Sequence, residues 1–298
     1  MGVAASTHGL WGARHADGTD TLYQGGQSDG AILVFDTKTE QFVHFAPPEG
    51  MPRGSGHIDV DSQGNGWTPA GDGALKLDAK TGEYTYYPIP YPAGTPKANQ
   101  NDYGLAVDAN DQVWVARAGI EGVGWVDPKT GQTGNTLFEP MLFPGLTEKD
   151  RTVAVGMSMG PPNGKGPRRL GSGGKNGGNF MWVALNKSDA LGKIDIRTHQ
   201  VVKEYPLPQG SAPYAVTVDK NGMVWVPPMN ADRMYKFDPT TERFTEFMLP
   251  TRGTDLKHVS VDDSTNPPTV WLAYNRSNKI ARLQERPARP AGAQQAAR

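Results

Sequence analysis

The 298-residue chain has no cysteine, no long apolar run and no excess of charge of either sign. Without cysteine there are no disulfides and no thiol nucleophile, and either the cytosol or an oxidising compartment suits the chain. No stretch approaches the roughly 18–20 consecutive apolar residues of a membrane span. Met1–Ser6 is too short, and lacks the charged flank, to be a signal peptide. A periplasmic or secreted location is the expectation, with its signal not part of this chain. Thirty Lys and Arg nearly cancel 31 Asp and Glu, and no basic run stands out, which argues against a nucleic-acid partner. There is no Gly-x-Ser-x-Gly elbow, so an elbow-type serine hydrolase has no support.

What the chain does have is turn formers and aromatics: 37 glycines, 25 prolines, seven Trp, ten Tyr and nine Phe. The clearest stretch is Pro213–Pro250. Four apolar-alternating runs, Tyr214–Asp219, Met223–Pro227, Arg233–Asp238 and Phe244–Leu249, are broken by Asn-Gly and Asp-Pro turn chemistry. Period-two alternation between such turns predicts an antiparallel meander.

The unit recurs. An aromatic in the second strand is followed 13 residues later by an Asp closing the third: Tyr23 and Asp36, Trp114 and Asp127, Trp182 and Asp195, Trp225 and Asp238. Trp67 and Asp78 are 11 apart, and Trp271 is followed at 13 by Gln284. A Val-Asp pair lies upstream, at Val60-Asp61, Val107-Asp108, Val218-Asp219 and Val261-Asp262. In the first three the aromatic follows the Asp by six; in the last it follows by nine. The Asp ending each third strand is expected to cap a tight turn.

Six units result: Thr7–Pro48, Ser55–Pro90, Asp102–Pro140, Thr152–Pro208, Pro213–Pro250 and Lys257–Glu285, the last without a fourth strand. The fourth is long because Gly160–Gly178 intrudes between its first and second strands, a Gly-rich loop made basic by Lys165, Arg168, Arg169 and Lys175. It has neither Walker nor dinucleotide-binding spacing and reads as a mobile surface loop. A four-stranded unit cannot bury both faces alone, and radial packing of successive units solves this. The expected fold is all-β: a β-propeller of four-stranded antiparallel blades with six repeats visible, either six-bladed or an incomplete seven-bladed ring. Residues 1–285 form the single domain, and 286–298 are a disordered Pro/Ala-rich tail.

The blade pattern PYAVTVDKNGMVWV with DRMYKFDPTTERFTEFMLP resembles the repeats of the streptogramin lyase family, as do NDYGLAVDANDQVWVA and KIDIRTHQVVKEYPLP. The resemblance runs from about Ser55 to Arg282. It implies a seven-bladed propeller that opens a cyclic depsipeptide at an ester by elimination, without water. It also implies a divalent cation, Mg2+, and a catalytic His as general base. In family blades a Glu often stands three residues after the second-strand aromatic, and one such Glu holds the metal. Here those positions are Gly26, Ala70, Arg117, Leu185, Pro228 and Tyr274, none acidic. The family's catalytic His lies at the start of a first strand, a pattern that His8 fits, with His57 and His258 one position later relative to Val-Asp.

In a propeller, first-strand starts and second-to-third-strand turns gather around the central channel on one face. The starts supply His8, His57, Tyr103, Tyr214 and His258; the turns supply Arg117, Asn186, Lys187, Asn230, Asn275 and Arg276. Three histidines converging from different blades can do acid–base work, hold a metal, or simply pack beside the channel. Tyr103 and Tyr214 can stack on a flat ligand or close the channel, and Arg117 can clamp a carboxylate or stand solvated. His15, His44 and His199 are expected at the surface. The expected function is a lyase opening an ester or lactone-type bond, with His258, His8 and His57 catalytic and a small-molecule or peptide-like ligand at the channel face of a monomer. The alternatives are a non-catalytic binding propeller and a lactone or ester hydrolase.

Overall fold

In the computed structural model, which describes residues 7–14, 20–26, 29–78, 80–139, 170–171 and 178–286, each repeat is one antiparallel sheet. Blade one comprises β1 (Thr7–Arg14), β2 (Asp20–Gly26), β3 (Ile32–Asp36) and β4 (Gln41–Phe45). Blade two comprises β5 (Asp59–Val60), β6 (Gly66–Ala70), β7 (Gly73–Leu77) and β8 (Tyr84–Pro88). Blade three follows with β9 (Asp102–Val107), β10 (Val113–Arg117), β11 (Gly122–Val126) and β12 (Thr133–Leu137). Blade four has β13 (Leu170–Gly171), β14 (Phe180–Leu185), β15 (Ala190–Asp195) and β16 (Gln200–Pro206). Blade five has β17 (Thr217–Val218), β18 (Val224–Val226), β19 (Arg233–Asp238) and β20 (Arg243–Met248). Blade six has three strands, β21 (Leu256–Asp262), β22 (Thr269–Tyr274) and β23 (Lys279–Gln284). The fold is the all-β propeller expected, with six blades among the described residues, none of whose helices is long and apolar enough to cross a membrane. Residues 287–298, most of the expected tail, lie outside the described residues, as does His15.

The spacing of six between Asp and Trp has a direct cause. Trp67, Trp114 and Trp225 each donate from Nε1 to the second carboxylate oxygen of Asp61, Asp108 and Asp219, at 2.9 Å every time. The first oxygen accepts two turn amides, as when Asp219 takes Asn221 N and Met223 N at 2.8 and 3.1 Å. One side chain thus ties the turn between first and second strands to the core aromatic. The nine-residue spacing of blade six puts Asp262 on Ser264 instead. Asp219→Ala is expected to destabilise the protein by about 2 kcal/mol, because it orphans a buried indole N–H and two turn amides; urea unfolding measures this, and a loss near zero contradicts the clasp.

The second Asp does cap a turn. Asp36, Asp78, Asp127, Asp195 and Asp238 each accept the amide two residues on, at 2.7–2.9 Å. Four residues after each stands a positive φ: Glu40, Gly82, Gly131, His199 and Glu242. These bonds favour the ionised form, and the carboxyls of Asp36, Asp78 and Asp238 lie below their ordinary value mainly because of them, as does Asp195 through Arg197. A depressed folded value adds stability that is fully present above the unfolded value, about 3.9, and is lost as pH falls through the folded values. The melting temperature is expected to fall from pH 4 to pH 2, and less steeply in Asp238→Asn; parallel curves for the two proteins count against this origin.

Packing between blades follows the strand alternation. The second-strand aromatic of one blade packs on the aliphatic inner strands of the next. Tyr23 and Ile32 meet Ile58 and Leu75; Trp67 meets Leu105, Val113 and Val115; Trp114 meets Met181 and Val183; Trp182 meets Val218 and Val224; Trp225 meets Val270 and Leu272. Opposite three of the indoles a third-strand lysine lies over the ring, Lys76 on Trp67, Lys193 on Trp182 and Lys236 on Trp225, at 5.3–6.0 Å, while Trp114 faces Trp125. Among the described residues no such core joins blade six to blade one, and Trp271 is 42% exposed where Trp67, Trp114, Trp182 and Trp225 are at most 1%.

Three expectations are corrected. The innermost described strand of blade four is Leu170–Gly171, paired with Val183 and Trp182, so it comes from within the stretch read as an inserted loop. The rest of that loop, apart from Gly178, lies outside the described residues. The first strands of blades two and five pair over two residues each, shorter than expected, with single bridges at Gly54–Ala70 and Pro213–Pro228 completing the approach. Proline, which has no N–H, cannot extend the ladder there. His199 is not a surface residue. Its ring stacks on Trp125 at 3.7 Å and bonds Gln112 Oε1 at 3.0 Å, and burial lowers its imidazole below its ordinary value. His44 is exposed as expected and pairs with Asp29 at 2.7 Å.

Candidate functional site

Three of the six first strands begin with a bulge. Register slips between Thr7 and Leu10 in β1, between Asp102 and Leu105 in β9, and between Leu256 and Val259 in β21. A bulge leaves an extra residue out of the ladder and re-aims its side chain. The residues so placed are His8-Gly9, Tyr103-Gly104 and Lys257-His258. Only the backbone of His8 lies within the described residues.

The result at the channel is a file of four rings from four blades. His57 meets Tyr103 edge-on with ring centres 4.5 Å apart. Tyr103 and Tyr214 are hydrogen-bonded through their hydroxyls, with rings 6.1 Å apart and nearly perpendicular. Tyr214 meets the edge of His258 at 5.7 Å. Blades three and five are not neighbours, so this hydroxyl contact spans the channel in front of blade four. In this structure the two hydroxyls meet each other. Below them Ala212, Ala215 and Met229 form an apolar floor on which Tyr103 and Val259 pack.

The two histidines differ in access. His57 is 3% exposed, whereas His258 is half-buried. Beside His258, the Lys257 ammonium lies 5.8 Å from the Tyr214 ring centre and 3.8 Å from Asp255. Sequence reasoning missed Lys257, although the signal was present: it stands five residues before Asp262, as Tyr103 and Tyr214 stand five before Asp108 and Asp219. Ser55, also missed, donates to the Tyr103 carbonyl at 3.2 Å.

The turn residues divide. Asn230, Asn275 and Arg276 are exposed at the rim. Asn186 is fully buried and donates to the Pro213 carbonyl at 3.1 Å, tying blade four to blade five. Arg117 is not solvated. Its guanidinium is 0% exposed and clamps the carboxylate of Asp102 at 2.8 and 2.9 Å. It also bonds the carbonyl oxygens of Ile89 and Asp72 and the amide oxygen of Asn135, and lies 4.0 Å from the Tyr91 ring centre. The carboxylate it holds is the protein's own. Burial pushes the Asp102 carboxyl up from its ordinary value, while Arg117 and the Tyr91 hydroxyl pull against that.

The metal implied by the resemblance was tested against the donors present. The six positions three after the second-strand aromatics carry no carboxylate. Among the described residues no three His, Asp or Glu side chains converge closely enough to hold an ion. The described residues at the channel therefore do not fit the family's Mg2+, and no chemical step is derived through it.

No family model and no curated protein matches the chain. Solved structures do. A catalytically inactive virginiamycin B lyase from Staphylococcus aureus with quinupristin aligns over 94% of this chain and 81% of its own, at 16% identity and a TM-score of 0.70. A streptogramin B lyase structure aligns over 96% of this chain and 86% of its own, at 19% identity and a TM-score of 0.68. The extracellular domain of a putative one component system from B. thetaiotaomicron is covered over 37% of its length, at 15% identity and a TM-score of 0.60. Identities this low speak for architecture alone. The chain is a β-propeller with the fold of the streptogramin lyases.

Proposed function

We propose that the channel face is a carbon–oxygen lyase centre with His258 as general base, opening an ester or lactone-type bond in a small-molecule or peptide-like ligand. The observation that carries this is the placement of His258. The bulge of β21 puts its ring against Tyr214, at the reachable end of the four-ring file. Imidazole titrates near neutrality and suits proton abstraction from carbon. In the elimination, the C–H bond next to the ester-bearing carbon breaks and its proton goes to His258. The released pair becomes a C=C bond, and the C–O bond breaks with its pair leaving on the carboxylate. Lys257 and the tyrosine hydroxyls supply positive charge and donors for developing negative charge. His57, joined through Tyr103, is a positioning residue, and His8 enters with the role that the sequence pattern implies for it. Asn230, Asn275 and Arg276 line the approach.

A second reading, a non-catalytic binding propeller, is favoured by the Tyr103–Tyr214 contact, which closes the channel as a passive plug would. The two part on product. Incubation of the protein with cyclic depsipeptides, lactones and uronates in 18O-labelled water is expected to give an unsaturated product free of label. Labelled acid identifies a hydrolase instead, and no product from any of them leaves the binding reading.

A further inference from the structure

The seam between blades three and four holds a group of oxygen atoms that the channel chemistry does not use. Glu121 stands in the turn between β10 and β11, and Ser188 in the turn between β14 and β15. Glu204 stands on β16 opposite Gly192 of β15. A Cβ added at Gly192 would lie 2.5 Å from the Phe138 ring of blade three, so this face of the sheet, Glu204 included, looks across the seam. Phe138 in turn donates its amide to the Glu121 carbonyl at 2.8 Å. Both carboxylate oxygens of Glu121, one of Glu204 and the Ser188 hydroxyl are buried and make no hydrogen bond of good geometry, although Ser188 stands close enough to Glu121, and the Glu139 amide close enough to Glu204, to ease the cost of burial. Ser188 and Glu204 both lie within interaction range of Glu121.

Buried carboxylate oxygens without donors are costly. In most native structures such atoms are matched by a donor, a water or an ion. Here four oxygens face one place and none supplies a proton to another in good geometry. The facing charges are Glu121, Glu204, Asp189 and Glu139 against Lys187, a balance of three negative charges when all are ionised. Asp189 is already engaged by the amides of Gly210 and Ala212.

We propose that Glu121, Glu204 and Ser188 form a site for one divalent, oxygen-seeking cation, Ca2+ being the best fit, that locks blade three to blade four. Ca2+ accepts carboxylates in one- or two-oxygen mode, with hydroxyl, carbonyl and water oxygens completing an irregular shell. No imidazole or thiolate is present to favour a transition metal. The two carboxylates leave waters to fill the remaining positions. Burial pushes both carboxyls up to about 7, more than Lys187 and Ser188 beside Glu121, or the Glu139 amide beside Glu204, pull them down. The site is not where the family resemblance points, and it stands whether or not the channel is catalytic.

The test is thermal unfolding of chelator-treated, dialysed full-length protein with added CaCl2 or MgCl2. The expected result is a saturable rise in melting temperature with Ca2+, larger than with Mg2+, and one bound ion per chain by calorimetric titration. Glu121→Gln and Glu204→Gln keep the shape and halve the donor charge, so each is expected to weaken Ca2+ binding at least tenfold. Ser188→Ala, a milder change that leaves the carboxylates in place, is expected to weaken it less. No rise up to about 10 mM Ca2+, or the same rise in wild type and in Glu121→Gln/Glu204→Gln, overturns the proposal.

Discussion

Replacing Arg117 with methionine is expected to cost about 3–5 kcal/mol of folding stability, the largest single-residue loss in the scaffold. The reason is what remains. Asp102 stays 8% exposed, still bonded by Tyr91 at 2.6 Å, with its counter-ion gone. The carbonyls of Ile89 and Asp72 and the amide oxygen of Asn135 lose their donors together. The guanidinium joins blade two to blade three, so the loss falls on a seam and not on a surface pair. Breaking one half of a buried ion pair is far worse than replacing both halves by apolar groups. Arg117→Met/Asp102→Leu is therefore expected to recover a good part of the loss. Gly124 adds a second check: a Cβ there would meet the guanidinium at 2.5–2.7 Å, so Gly124→Ala should act through Arg117 and be partly relieved in Arg117→Met. Urea unfolding of wild type, Arg117→Met, Arg117→Met/Asp102→Leu, Gly124→Ala and Gly124→Ala/Arg117→Met decides the matter. A loss below about 1 kcal/mol for Arg117→Met would mean that the pair is no more than a surface-type contact.

The largest expected effect on activity is that of His258→Ala, a fall in kcat of about 10²- to 10⁴-fold with KM little changed, because a general base acts in the transition state and not in ground-state binding. His258→Gln should fall as far, since an amide cannot take the proton. His57→Ala is expected to have a smaller effect. Its ring is buried behind Tyr103 and reaches the chemistry only by holding that tyrosine. Tyr103→Phe removes the hydroxyl contact with Tyr214 while leaving both rings, so it tests whether closing the channel matters for turnover. The measurement is steady-state turnover of whichever substrate gives the unlabelled unsaturated product. Equal turnover by wild type and His258→Ala removes His258 from the mechanism and leaves the propeller as a binding module.

The repeat, the strand order within blades, the Asp turn caps and the aromatic core were legible in the chain because each is a local matter. A carboxylate reaches an amide two residues on, or an indole six residues on, wherever the blade sits, so the spacing alone carries the information. That His57, Tyr103, Tyr214 and His258 come near one another was legible for a similar reason: first-strand starts of successive blades meet at the axis, even when, as with His57 and His258, they are offset by one residue. What the sequence could not tell was which way individual polar residues faced once blades were packed. Arg117, Asn186 and His199 occupy turn positions that read as rim or surface, yet each is drawn into a seam by partners 15 to 87 residues away. Whether Tyr103 and Tyr214 stack on a ligand or meet each other depends on the width of the channel, which is set by how six sheets splay around it. Local chemistry repeats along the chain and can be read there; burial and long-range pairing are properties of the closed packing, and only the tertiary structure decided them.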